Sequence, residues 1–182
     1  MKYLSVILII IFGLFIFDRG VLAEEQTILS SNPIPTSSVE YALPFAGLLP
    51  DHPLYSIKVL RDRVLLFFTR DPEKRVHINL LLSDKRLVMG QILWEKGNIE
   101  LSVTTLGKGE KYLLSAAADL AALEKQANLP PGLSDKLELA TNKHEEIIMR
   151  LMKSTNDEVK RQGLNLALGI NHQAMQQILL FK

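Results

Sequence analysis

Ile99, Val103, Leu106, Glu110, Leu113, Ala117 and Leu120 follow one another at spacings of four and three, one apolar seam interrupted only by Glu110. A period near 3.6 puts these side chains on one helix face, whereas a strand would send them alternately to opposite sides. Leu137, Ala140, His144, Ile147 and Leu151 repeat the spacing, with His144 on the apolar face. Two such helices must bury their seams against other elements, and no segment of four or more residues alternates convincingly. The sequence therefore predicts an all-α fold, a compact bundle of about five helices without β-sheet.

Local signals divide the chain. Asp51-His52-Pro53 predicts a first helix running to about Thr69, with Asp51 near the cap and Ile57, Leu60, Val64 and Phe67 as its buried stripe. Asp71-Pro72-Glu73 predicts a long second helix ending at Lys96-Gly97, after which Asn98 caps the third. So short a connection makes the second and third helices an antiparallel hairpin. Ser134 is expected to cap the fourth helix, and Ser154 to Glu158 to open the fifth. In the fifth, Leu164, Leu168, Met175 and Leu179 line one apolar face and Val159, Leu166, Ile170 and Ile178 another. Gly90, Leu93, Gly97, Ile99, Ser102 and Leu106 match the offsets of a single tetratricopeptide-type repeat, so the hairpin is expected to be TPR-like within a bundle rather than part of a solenoid.

The amino-terminal 40 residues read differently. Residues 3–17 are uncharged and almost wholly apolar behind Lys2, and Val21-Leu22-Ala23 offers a signal-peptidase pattern. Residues 1–23 are expected to be a signal peptide cleaved between Ala23 and Glu24, or alternatively a membrane anchor, which gives possible membrane proximity. Residues 24–40, polar and carrying two prolines, predict a disordered linker, and 41–182 a single helical domain, its Tyr41–Pro50 segment packing Tyr, Phe and Leu onto the bundle. Either outcome places the domain outside the cytoplasm. With no cysteine there is no disulfide, thiol nucleophile or thiolate metal site, so the core must supply stability alone. A formal charge of +1 gives no reason to expect a nucleic-acid partner.

Leu49-Pro50-Asp51-His52-Pro53-Leu54-Tyr55, followed by Arg61-Asp62-Arg63, Thr69-Arg70-Asp71-Pro72, Asp84-Lys85-Arg86 and Lys96-Gly97, resembles a family of exported bacterial and archaeal proteins catalogued as a domain of unknown function. The resemblance covers roughly Val39 to Leu123. It implies export and an all-helical fold, and supplies no activity or catalytic residue.

No catalytic residue, cofactor site or metal-ligand set is assigned. Glu73 and His77 stand four apart on a helix, a weak pair for a metal that wants about four ligands. His52 precedes a proline in a turn, His172 has no motif around it, and His144 needs a hydrogen-bond partner if buried. Residues 53–111 carry eleven basic and seven acidic side chains, whereas 112–182 carry eight of each. Lys58, Arg61, Arg63, Lys85 and Arg86 are thus the candidate interaction surface, either as structural ion pairs or as a patch for acidic lipid or cell-wall polymer. Trp94 is expected to pack the hairpin, and the apolar runs Phe67-Phe68 and Leu80-Leu81-Leu82 point to an interface or a central helix. The leading expectation is an exported, non-enzymatic module that binds an envelope or extracellular protein. The alternative is an extracytoplasmic metal or ligand sensor using Glu73, His77 and His144, and a cell-envelope hydrolase is a third reading without a supporting motif.

Overall fold

Asp71 and Asp157 each accept hydrogen bonds from the backbone two and three residues on, and each opens a helix at the residue that follows it. The computed structural model describes residues 39–181, so the predicted signal peptide, the Ala23–Glu24 cleavage point and most of the predicted linker lie outside the described residues. Within them the chain forms five helices and no strand: α1 (Tyr55–Phe68), α2 (Pro72–Glu95), α3 (Ile99–Lys125), α4 (Leu133–Lys153) and α5 (Glu158–Leu179). No described helix is long and apolar enough to cross a membrane. Three caps differ from expectation. Asp51 reaches instead to Lys96 at 3.3 Å, leaving Leu54 at the head of α1 without a side-chain cap. Asn98 takes the cap position of α3 without a side-chain hydrogen bond. Ser134 lies inside α4, whose cap is Gly132 at φ 75°, a left-handed turn that favours glycine.

α2 and α3 form the predicted hairpin. The hydroxyls of Ser102 and Ser83 donate to the carbonyls of Gly90 and Gly109 at 2.6 and 2.9 Å, and Asn79 and Arg75 hold Asp119, so partners step back along α2 as they advance along α3. A Cβ at Gly90 would sit 2.5 Å from Leu106, so glycine is what lets the two helices close there. α5 packs on α3 and α4 through Leu164, Ala167, Asn171, Ala174 and Ile178. This single seam replaces the two expected faces, and Val159, Leu166 and Leu179 point to solvent.

The bundle core is divided along its length. One apolar cluster gathers Leu80, Leu113, Leu137, Ala140, Ala174 and Ile178, among others, and a second gathers Leu87, Leu106, Ile147, Leu151, Leu164 and Ala167, with Trp94 packed against it. Between them in the register of α2, α3, α4 and α5 sit Asp84, Glu110, His144 and Asn171, all buried. The two clusters are joined by a polar layer.

α1 behaves otherwise. The expected buried stripe is the outward one: Ile57, Leu60, Val64 and Phe67 are all exposed, as is Phe68, with the two phenylalanines 80% and 75% accessible. The inner side consists of Tyr55, Val59, Asp62 and Leu66, of which only Asp62 is fully buried. Periodicity identified which residues share a face but not whether another element faces them.

Candidate functional site

α1 is held to the bundle chiefly by polar clasps. Arg75 of α2 donates to the Leu66 carbonyl at 3.2 Å, and the Lys58 ammonium donates to the carbonyls of Ala46 and Leu48 at 3.2 and 3.4 Å. Five apolar side chains are left on its outer face, edged by Arg61 and Arg63, which helical spacing puts on opposite flanks. Phe45, in the preceding segment, is 86% exposed, contrary to its expected packing, while Ala46 is buried and Tyr41 and Leu43 dock on the core. Phe67 and Phe68 meet edge to face at 5.3 Å.

The five cations expected to form one surface divide among three environments. Arg61 and Arg63 are exposed, Lys58 and Lys85 are partly covered, and Arg86 is only 4% exposed. Its guanidinium donates to the Leu82 carbonyl at 3.2 Å and lies 4.2 Å over the Tyr112 ring. Arg61 pairs with Asp62 at 3.2 Å. Burial, and then the positive charges of Lys85, Arg86 and Arg61, lower the Lys58 ammonium to about 8 against the pull of Asp62. Asp84, read from sequence as part of a charged cluster with Lys85 and Arg86, turns inward to the polar layer.

In that layer His144 joins two carboxylates. Its Nδ1 lies 2.8 Å from Glu110 Oε1 and its Nε2 3.0 Å from Asp84 Oδ1. Tyr41 donates to the other oxygen of Asp84 at 2.8 Å, and Asn171 donates to the other oxygen of Glu110 at 2.9 Å and to the Thr141 carbonyl at 3.1 Å. A neutral imidazole has one N–H, so donating to both ionised carboxylates requires the imidazolium. Burial alone would lower the His144 pKa, but the charge of Glu110, the hydrogen bonds that His144 donates to both carboxylates and the charge of Asp84 outweigh it and raise the value to about 9. Burial, with the charge and hydrogen bond of Asp84, pushes the Tyr41 phenol above its ordinary range. The network is assembled by α2, α3, α4, α5 and the amino-terminal segment together, and at one side Tyr41 and Asp84 also line an open pocket of about 550 Å³ with Leu43, His77, Leu81 and Lys136. Spacing signalled two of its members without pairing them: Glu110 and His144 are each the polar interruption of an apolar seam, and Asn171, not singled out from the sequence, interrupts the seam of α5 in the same way.

The remaining histidines are peripheral. His77 and Glu73 stand 4.0 Å apart on exposed α2 surface, His172 meets Glu145 at 3.2 Å, and His52 Nδ1 accepts from the Leu54 amide at 3.1 Å. Among the described residues no group of three or more His, Asp or Glu is arranged to hold a metal ion. An open groove of about 600 Å³ between α3 and α5 is lined by Val103, Leu166 and Ile170 with Lys108 and Lys111 at its side, and no carboxylate or histidine lines it.

A family model described as a domain of unknown function, DUF5667, matches residues 47–158. The match begins ahead of α1 and runs through α4, further along the chain than the resemblance read from sequence, and it ends where α5 begins. No curated protein and no solved structure matches.

Proposed function

We propose, for a chain that belongs to the DUF5667 family, a domain of unknown function, the role of a non-enzymatic helical binding module at the cell envelope. The observation that carries this reading is the outward apolar face of α1: five neighbouring large side chains exposed on a helix whose inner side is thinly packed. Such contiguous patches mark interaction sites. The α2–α3 hairpin, read as TPR-like, serves as the rigid platform, with Gly90 against Leu106 and Ser102 bonded to Gly90 in support. Export rests on residues 1–23, where an uncharged run follows Lys2 and ends in Val21-Leu22-Ala23. The partner is an envelope or extracellular protein with an apolar groove for the Phe67–Phe68 end.

A photocrosslinker at Val64 tests the reading in cells. A discrete adduct with one envelope protein is expected, lost when Phe67 and Phe68 are changed to serine and absent when the crosslinker stands at exposed Leu166 on α5. No adduct, or the same adducts from both positions, counts against it. Sequencing the amino terminus of the fractionated protein tests export, with Glu24 expected first in a soluble exported fraction and Met1 retained in a membrane fraction if the segment is an anchor. The sensor reading has weaker support, since Glu73 and His77 are exposed and 4.0 Å apart. Micromolar heats on titration with divalent metal would revive it.

A further inference from the structure

Where α1, α2 and α3 converge, a pocket of about 180 Å³ is lined by Arg63, Arg86, Lys108 and Lys111. Tyr55 and Tyr112 supply phenol rings to its wall, Val59 completes it, and no carboxylate is among the lining residues. Four cations gathered around so small a volume without a lining acid make an unusual concentration of one charge, and like charges this close raise one another's energy until an anion enters.

Arg86 adds an independent observation. It is 96% removed from solvent by the 4% exposure given above, lines the pocket, and its Nε–H has no hydrogen-bond partner. A buried donor without an acceptor is rare in folded proteins, and a guanidinium N–H is among the strongest donors available. Its other contacts, the Leu82 carbonyl, the face of Tyr112 and the Tyr55 hydroxyl, fix the group without supplying a countercharge. Asp62, the only acid on α1, is paired with Arg61, and Asp84 is engaged with His144 and Tyr41. The nearby acids are therefore already committed.

We propose that this pocket binds a phosphate-type oxyanion, with Arg86 as the buried donor and Arg63, Lys108 and Lys111 closing around the anion from the rim. The volume suits one tetrahedral group with a small substituent rather than a polymer segment. Guanidinium and ammonium groups together match the oxygens and charge of phosphate better than the single plane of a carboxylate. The site lies on the inner side of α1, so it is separate from the outward apolar face that the proposed function uses, and either can fail without the other.

The test is calorimetric titration of the full chain in neutral detergent with two probes, inorganic phosphate and dihexanoyl phosphatidylglycerol, whose phosphodiester stands for a lipid headgroup. Saturable binding of at least one probe is expected, weakening as salt rises. The double variant Lys108→Gln/Lys111→Gln, which changes two exposed rim residues, should bind about tenfold or more weakly. Arg86→Met should abolish binding, and circular dichroism of both variants shows whether the fold persists. Tighter binding of the phosphodiester identifies a lipid headgroup as the source of the anion, and tighter binding of inorganic phosphate identifies a free phosphate or monoester. If neither probe binds saturably, or the rim double variant binds as tightly as the unaltered chain, the proposal is overturned.

Discussion

The polar layer of the bundle and the outer face of α1 invert the usual placement of residues. In the layer two carboxylates and a histidine sit fully inside, while on α1 Ile57, Leu60, Val64, Phe67 and Phe68 sit outside. Burying charge is tolerable only when the geometry answers it, and here every carboxylate oxygen of Asp84 and Glu110 accepts a hydrogen bond. The exposed apolar face has no such internal answer. The carboxylates are answered within the bundle, whereas the α1 face meets solvent among the described residues.

The largest effect should come from breaking the layer. His144→Ala leaves Asp84 and Glu110 without the imidazolium that joins them, and we expect a loss of about 3–5 kcal/mol in urea unfolding. A loss below about 1 kcal/mol would mean that water enters the layer and that it is not the hydrogen-bonded network described. The pH dependence comes next. Because the folded-state pKa of His144 stands near 9 and its ordinary value is 6.5, its stabilisation is fully present below about pH 6.5 and disappears as pH rises through 9. Over that window the expected loss is about 3 kcal/mol. Lys58 on α1 works in the opposite sense, since its lowered value near 8 gives a contribution that grows as pH rises above 8. Unfolding curves of Lys58→Met between pH 6 and 10 should therefore show a steeper decline than those of the unaltered chain, and an equal or shallower one would contradict the assignment.

Gly90→Ala drives a methyl group toward the buried Leu106 side chain, and a net cost of about 1–2 kcal/mol is expected after the gain in helix propensity. The smallest effect should come from α1. Phe67→Ser/Phe68→Ser is expected to shift unfolding by no more than about 0.5 kcal/mol, because both rings already face solvent. A shift of 2 kcal/mol or more in thermal or urea unfolding would show that α1 folds back onto the bundle in solution.

How much of this was legible follows the same division. The helices, the α2–α3 hairpin and the Asp71 cap can be read along the chain because they depend on residues within a turn of one another. The seams of α3 and α4 were equally plain, and their interruptions at Glu110 and His144 demanded partners. Which partners could not be read, because a 2.8 Å bond across 34 residues depends on how two helices slide against each other, and spacing within one helix carries no information about that. Asn171 escaped for a different reason: its seam contains two alanines, which a search for large apolar residues passes over. Arg86 was misplaced because a charged triplet such as Asp84-Lys85-Arg86 looks solvated, whereas successive helix positions point 100° apart and two of these three side chains turn inward.

The described chain begins with two contacts that have a mechanical consequence. The Val39 amide donates to Glu146 at 3.0 Å and the Tyr41 hydroxyl to Asp84 at 2.8 Å, ahead of α1 in the chain. Tension applied from the amino-terminal side is therefore taken up at α4 and α2 before it reaches α1. The load passes into α4 and the charged centre of the bundle, and the helix with the outward apolar face lies beyond these two anchor points.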